Sequence, residues 1–141
     1  MSGWQEFINN PYGRRVGDCT VRAVAKAIGS DWEKAYTELA LAGFTMGDMP
    51  SGNAVVNSVL RQYGFRRQVI PNSCPDCYTI GDFANGHPEG TYVVGTGNHV
   101  VAVENGTVWD SWDSTGEVAI FYWDEDPEAL TEAKEDEKDG V

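Results

Sequence analysis

The chain has 141 residues, of which 41% are hydrophobic and 11% aromatic, enough to bury one core of ordinary size. Its formal net charge of −12 argues against a protein that binds duplex nucleic acid, because such a protein presents a basic face. No stretch approaches the ~18 apolar residues of a membrane helix, and residues 1–6 lack the basic and apolar segments of a signal peptide. We therefore expect a cytoplasmic protein that binds neither nucleic acid nor a membrane.

The negative charge is distributed unevenly along the chain. Residues 124–141 contain nine acidic residues and two lysines, so −7 of the net charge lies in this segment. A segment with so many acids and so few apolar side chains is typical of a solvated tail. The sequence therefore predicts one folded domain over residues 1–123, followed by an acidic, flexible tail over residues 124–141.

The first half of the chain predicts three helices. The first covers residues 19–28, with Asp18 as its N-cap and a glycine after its last turn. A capping box at residues 30–33 opens the second helix, which we expect to end near Gly43. The third helix covers residues 51–63, and its valines and leucine recur at helical spacing.

The second half of the chain predicts strands, because runs of β-branched and aromatic residues replace the helical pattern. These runs cover residues 65–70, 91–94, 99–103, 107–109 and 118–123, while residues 79–84 predict one short helical turn. The pair Asn105-Gly106 between two of the runs indicates a type I′ hairpin. Helices that precede an antiparallel sheet define an α+β fold.

Cys19 stands at the predicted start of the first helix. Unpaired backbone N–H groups and the helix dipole favour an anion there, which makes the thiolate easier to form. The same N–H groups can hold an oxyanion formed when the thiolate attacks a carbonyl group. Cys19 is therefore a candidate nucleophile, and the alternative is a small buried residue near a helix end.

A base and an orienting acid are predicted from the hairpin. If the chain turns at residues 105–106, His99 lies opposite Trp112. Asp110 is two residues before Trp112 on the same strand, so it lies on the same face as His99. His99 and Asp110 are then diagonal neighbours roughly 7–8 Å apart at the backbone, within reach of a hydrogen bond. Asp113 would point to the other face, so the register selects Asp110. The alternative is a strand-end histidine with an unrelated surface aspartate.

Three short motifs carry a family resemblance: Gly17-Asp18-Cys19 at a helix start, Asn98-His99 at a strand, and Trp109-Asp110 on the next strand. They resemble the papain-like cysteine peptidase superfamily, most closely its compact C39-like members from bacteria and phages. The order of Cys, His and Asp also matches, as does a helical half that precedes a sheet half. The likeness covers roughly residues 10–123.

This resemblance implies a papain-like fold in which the nucleophile begins a helix packed on a C-terminal antiparallel sheet. It implies a protein of a bacterial cell or a phage-infected host that forms a thioester without a cofactor or a metal. In that scheme Cys19 is the nucleophile, His99 the base and Asp110 the orienting residue.

One departure from the family concerns the oxyanion. Papain-like enzymes carry a glutamine about six residues before the cysteine, and here that position is Gly13. Losing one oxyanion donor costs roughly 10²–10³ in rate, so an active enzyme needs a replacement donor. Asn9 and Asn10 in the preceding loop are the candidates. Asn98 and Trp112 are candidates for the substrate groove.

The leading hypothesis is a hydrolase that cleaves a peptide or isopeptide bond in a peptide or protein substrate. An acyltransferase or amidase with the same triad is an alternative, because the triad does not determine the second nucleophile. A catalytically silent papain-like module that binds a partner protein is the alternative from another class. The missing glutamine favours the silent module.

Cys74 and Cys77 form a C-x-x-C motif. A structural zinc site needs four ligands, and the motif supplies two. A thioredoxin-like site would place the motif at a helix start, whereas Thr79 is the better N-cap here. We expect a pair of buried or loop-stiffening thiols, with metal binding and redox activity as the alternatives.

Overall fold

The computed structural model of the protein describes residues 3–71, 77–129 and 131. The predicted α+β class is confirmed, with a first strand, three helices, and then strands interrupted by a fourth helix. The elements are β1 (Gly3–Glu6), α1 (Cys19–Ala27), α2 (Trp32–Met46), α3 (Asn53–Gln62), β2 (Phe65–Val69), α4 (Ile80–Gly86), β3 (Thr91–Gly95), β4 (Val100–Glu104), β5 (Thr107–Asp110) and β6 (Phe121–Glu125).

The strands form one six-stranded sheet in the order β1-β5-β4-β3-β6-β2. Its neighbours are antiparallel except for β1, which runs parallel to β5, with Gly3 opposite Thr107 and Glu6 opposite Asp110. The predicted C-terminal antiparallel sheet is confirmed for β2–β6, whereas the unpredicted β1 makes the whole sheet mixed. All four residues of β1 are exposed, so the segment lacks the alternation of buried and exposed positions that marks a strand in a sequence.

Helix α1 begins at Cys19 as predicted, and the backbone after it turns at Gly29, whose φ is +67°. Asp18 occupies the N-cap position, but its side chain makes no capping hydrogen bond. The carboxylate instead accepts hydrogen bonds from two side chains that are described with the site below. The Asp18 side chain therefore accepts no hydrogen bond from the first N–H groups of α1.

Helix α2 differs from its prediction at both ends. Its N-cap is Asp31, whose carboxylate accepts a hydrogen bond from the Lys34 backbone N–H at 2.7 Å. It continues past Gly43 to Met46 and ends at Gly47 in the left-handed conformation. Gly43 is needed for a close approach, because a Cβ there would lie 2.7 Å from the backbone oxygen of Asp48.

The core lies on both faces of the sheet. Helices α1, α2 and α3 cover one face and bury a cluster that includes Val24, Leu39, Leu60 and Trp123. Helix α4 covers the other face, where its residues pack on buried valines of β3, β4 and β5. The helix that carries Cys19 thus packs directly on the strands that flank His99 and Asp110.

The ordered structure extends beyond the predicted domain boundary at residue 123. Strand β6 continues to Glu125, the Arg66 guanidinium forms an ion pair with Asp126 at 2.7 Å, and Ala129 is buried. The predicted flexible tail is therefore wrong for residues 124–129. The rest of that tail, apart from residue 131, lies outside the described residues.

Over the described ranges, no helix combines the length and the apolar character needed to cross a membrane.

Candidate active site

The Cys19 thiol is partly buried at the first position of α1. Its sulfur lies 4.0 Å from the Thr20 hydroxyl. Cys19, His99 and Val100 line the same cavity. The start of α1 therefore brings the thiol to the residues at the start of β4.

His99 immediately precedes β4, where a tight loop holds its backbone. Its carbonyl oxygen accepts hydrogen bonds from the Thr96 backbone N–H at 2.7 Å and from the Thr96 hydroxyl at 3.3 Å. The Nε2 atom of the ring lies 2.6 Å from Oδ2 of Asp110. The ring is thus anchored at its backbone and at one nitrogen.

The hairpin has the predicted register. Glu104 pairs with Thr107 and Ala102 with Trp109, and the turn residues Asn105 and Gly106 have φ values of +51° and +77°. This register brings the Asp110 carboxylate to His99. Asp113 lies beyond the end of β5, where it is exposed and accepts hydrogen bonds from Thr115.

Asp110 is fully buried, and four groups bind its carboxylate. Oδ2 accepts from the Ser114 hydroxyl at 2.6 Å in addition to its bond with His99. Oδ1 accepts from the Arg22 guanidinium at 2.9 Å and from the Ser111 backbone N–H at 2.7 Å. A buried carboxylate with this many donors is held ionised and fixed in position.

Arg22 connects the acid to the start of α1. Its guanidinium donates to Asp110 and, at 2.7 Å, to Oδ1 of Asp18, and the side chains of all three residues are buried. The second oxygen of Asp18 accepts from the Trp32 indole N–H at 2.9 Å. A continuous polar network thus runs from α2 through α1 to the His99 ring.

The pKa values favour a thiolate and an imidazolium. Burial raises the pKa of Cys19, but the hydrogen bonds from His99 and Val100 and the charge on His99 lower it below its usual value. Burial lowers the pKa of His99, but the bonds and charges of Asp110 and Cys19 raise it to about 9. Burial raises the pKa of Asp110, but the hydrogen bonds from His99 and Ser114 outweigh burial and hold that pKa below its usual value. The shifts stabilise the ion pair over the neutral pair.

A cavity of about 290 Å³ opens beside Cys19. Its walls come from the start of α1, the start of α3, the loop before β4 and one ring of β6: Gly17, Cys19, Thr20, Ser51, Asn53, Thr96, Gly97, Asn98, His99, Val100 and Phe121. Of the two predicted groove residues, Asn98 lines this cavity and Trp112 does not. The Trp112 ring packs on that of His99 with 5.1 Å between centroids.

Neither oxyanion candidate lies in this cavity. The Asn10 side chain accepts a hydrogen bond from the Tyr12 backbone N–H at 2.9 Å, and Asn9 lines a different cavity with Trp32 and Ala25. Both asparagines follow β1, whose pairing with β5 carries them to another side of α1. This structure therefore does not support their predicted role.

Sequence reasoning missed Ser51 and Asn53, which bring polar side chains to the cavity from the start of α3. It also missed the role of Arg22, which lies 88 residues from Asp110 in the chain. The available signal for Ser51 and Asn53 was the cluster of polar residues around Gly52. The signal for Arg22 was its position among the buried residues of α1, where a charged side chain needs a partner.

The C-x-x-C motif lies partly outside the described residues, which include Cys77 and exclude Cys74. Cys77 is disulfide-bonded, whereas Cys19 is a free thiol. The prediction of a buried or loop-stiffening pair also concerns Cys74 and so stays a prediction. In the part of the chain that the structure describes, no three His, Cys, Asp or Glu side chains are grouped to hold a metal.

No protein-family model matches the chain, and no curated protein or solved structure matches it either.

Proposed function

We propose that the protein is a papain-like cysteine hydrolase that cleaves a peptide, isopeptide or related amide bond through a thioester. The observation that carries the proposal is that Asp110 binds the His99 ring at 2.6 Å while His99 lines one cavity with the Cys19 thiol at the start of a helix. Nucleophilic catalysis by cysteine needs a thiolate, a base beside it and a group that orients the base. The lowered pKa of Cys19 supports the first requirement.

In the proposed reaction, the Cys19 thiolate attacks the substrate carbonyl carbon and forms a C–S bond. The His99 imidazolium gives its proton to the leaving nitrogen as the C–N bond breaks, and the amine departs. Water then attacks the thioester carbon, and its proton passes to His99. The C–S bond breaks, the carboxylic acid is released and the thiolate returns.

The oxyanion of each tetrahedral intermediate needs hydrogen-bond donors close to Cys19. The first-turn N–H groups of α1 have no acceptor within their own helix, so they support this role. The side chains of Asn98 and Asn53 line the same cavity and add amide donors. These groups replace the asparagines at positions 9 and 10 as our oxyanion candidates.

The first test is the pH dependence of Cys19 alkylation by iodoacetamide, followed by intact mass spectrometry without reductant. We expect rapid alkylation below pH 7, because contact with His99 holds the thiol pKa down. In the His99→Ala variant the profile should move up towards that of an ordinary thiol, with a pKa of about 8.5. The Cys19→Ala variant measures labelling elsewhere. Identical profiles for the wild type and His99→Ala would contradict the proposed ion pair.

The second part of the test is turnover of a peptide library. Cys19→Ala should abolish product formation, whereas Asp110→Ala should slow it less, because the aspartate orients His99 and does not react. Products that carry an added amine instead of water would indicate acyl transfer.

A silent binding module is the second candidate, favoured by the absence of Asn9 and Asn10 from the cavity. It predicts a reactive thiol without turnover and a biological effect that Cys19→Ala retains.

A further inference from the structure

A second cavity, of about 250 Å³, lies between the starts of α1 and α2 and the loop before α3. Its walls are mainly apolar or aromatic: Val16, Gly17, Asp18, Thr20, Val21, Trp32, Tyr36, Pro50 and Ser51. We call it the α1–α2 groove. None of its residues belongs to the triad, and the proposed hydrolysis does not by itself require it.

The groove adjoins the cavity at Cys19. Gly17, Thr20 and Ser51 line both, and Gly17 and Thr20 lie within two residues of Cys19 in the chain. A Cβ at Gly17 would meet no protein atom within 4 Å, so the surface there is open to a chain passing from one cavity to the other. A substrate with its carbonyl group at Cys19 can therefore place a neighbouring side chain in the groove.

The chemistry of the groove suits an uncharged apolar group. The rings of Trp32 and Tyr36 stack with 5.1 Å between centroids, and Val16 and Tyr36 are 43% and 52% exposed. The one carboxylate in the wall, Asp18, is committed to Arg22 and to the Trp32 indole. It is therefore not available to pair with a basic side chain of a ligand.

We propose that the α1–α2 groove is a specificity subsite that binds an aromatic or branched aliphatic side chain of a peptide substrate. The proposal rests on the proposed function, because that function places the peptide backbone at Cys19. The exposed apolar surface of Val16 and Tyr36 is covered when such a side chain enters.

The test uses Cys19→Ala protein, so that binding is measured without cleavage and without a reactive thiol. Blocked five-residue alanine peptides carry one phenylalanine that is moved through the five positions, and isothermal titration calorimetry compares each with the all-alanine parent. We expect one phenylalanine position to bind at least about tenfold more tightly, the range typical of an apolar pocket. Lysine at that position should give no such gain.

Groove variants in the same background assign the gain to this surface. Tyr36→Ala and, separately, Val16→Ser should each remove most of the gain from phenylalanine. Phe44→Ala is the matched control, because Phe44 lies on the same helix, is 88% exposed and does not line the groove. Melting curves check that each variant is folded.

Two results would overturn the subsite. One is that no phenylalanine position exceeds the parent by more than about twofold; the other is that Phe44→Ala weakens binding as much as Tyr36→Ala. Tighter binding of the lysine peptide would also overturn it. The alkylation profile of wild-type Cys19 reports separately on the proposed function, so failure of one can be distinguished from failure of the other.

Discussion

The Asp110 carboxylate is held by four hydrogen-bond partners. Its pairing with His99 follows from a hairpin whose turn residues need positive φ, so a local pattern was enough to predict it. Its bond to Arg22, 88 residues away in the chain, depends on how α1 packs on the sheet, so no local sequence pattern predicts it. Ser114 is only four residues from Asp110, but its bond depends on the path of the irregular loop after β5.

Replacing Asp110 tests the direction of the pKa shift at His99. The folded-state pKa of His99 is about 9, above the ordinary value near 6.5, because Asp110 and Cys19 bind the protonated ring. Asp110→Asn keeps the shape and removes the charge, so we expect the pKa of His99 to fall by about 1–3 pH units. Histidine ring signals in an NMR titration measure it.

Asp113→Asn is the matched control for this variant, because the exposed Asp113 carboxylate binds Thr115 and not His99. It should leave the His99 titration unchanged. An equal fall in both variants would show that the net charge of the chain, and not the Asp110 contact, sets the pKa of His99.

At the scale of elements, helix α1 and the sheet are joined by buried charges as well as by apolar packing. Arg22 lies on the buried side of α1 between the carboxylates of Asp18 and Asp110. The apolar stripe of α1 was visible in the sequence, which is why its start at Cys19 was predicted correctly. Strand β1 was not predicted, because its partner strand lies about a hundred residues away and its own side chains are exposed.

Arg22→Met should destabilise the fold by about 3–5 kcal/mol, because it leaves two buried carboxylates without their shared cation. Urea unfolding followed by circular dichroism measures this loss. Arg15→Met is the control, because Arg15 lies 3.8 Å from Glu6 in an exposed ion pair, which is worth about 0–1 kcal/mol. If both variants lose the same small amount, the buried network does not hold α1 on the sheet.

At the scale of the whole molecule, the site depends on the C-terminal strand as well as on the hairpin. Strand β6 lies between β3 and β2, and its first residue, Phe121, lines the cavity at Cys19. Gly95 on β3 has no side chain, and a Cβ there would overlap the Phe121 ring. The continuation of β6 past residue 123 was concealed by the composition of the C-terminal segment, whose acids outnumber its apolar side chains.

Two truncations compare the contribution to stability of residues 124–131 with that of residues 132–141. A chain ending at residue 123 loses two residues of β6, the Asp126–Arg66 ion pair, the Asp126 N–H bond to the Gly64 carbonyl and the burial of Ala129. These losses sum to on the order of 2 kcal/mol, so we expect the melting temperature to fall by about 5–10 °C. A chain ending at residue 131 keeps all of them and should melt within about 1 °C of the full chain. If the shorter chain melted with the full one, the end of β6 and Ala129 would contribute nothing to stability, and the boundary at residue 123 would be restored.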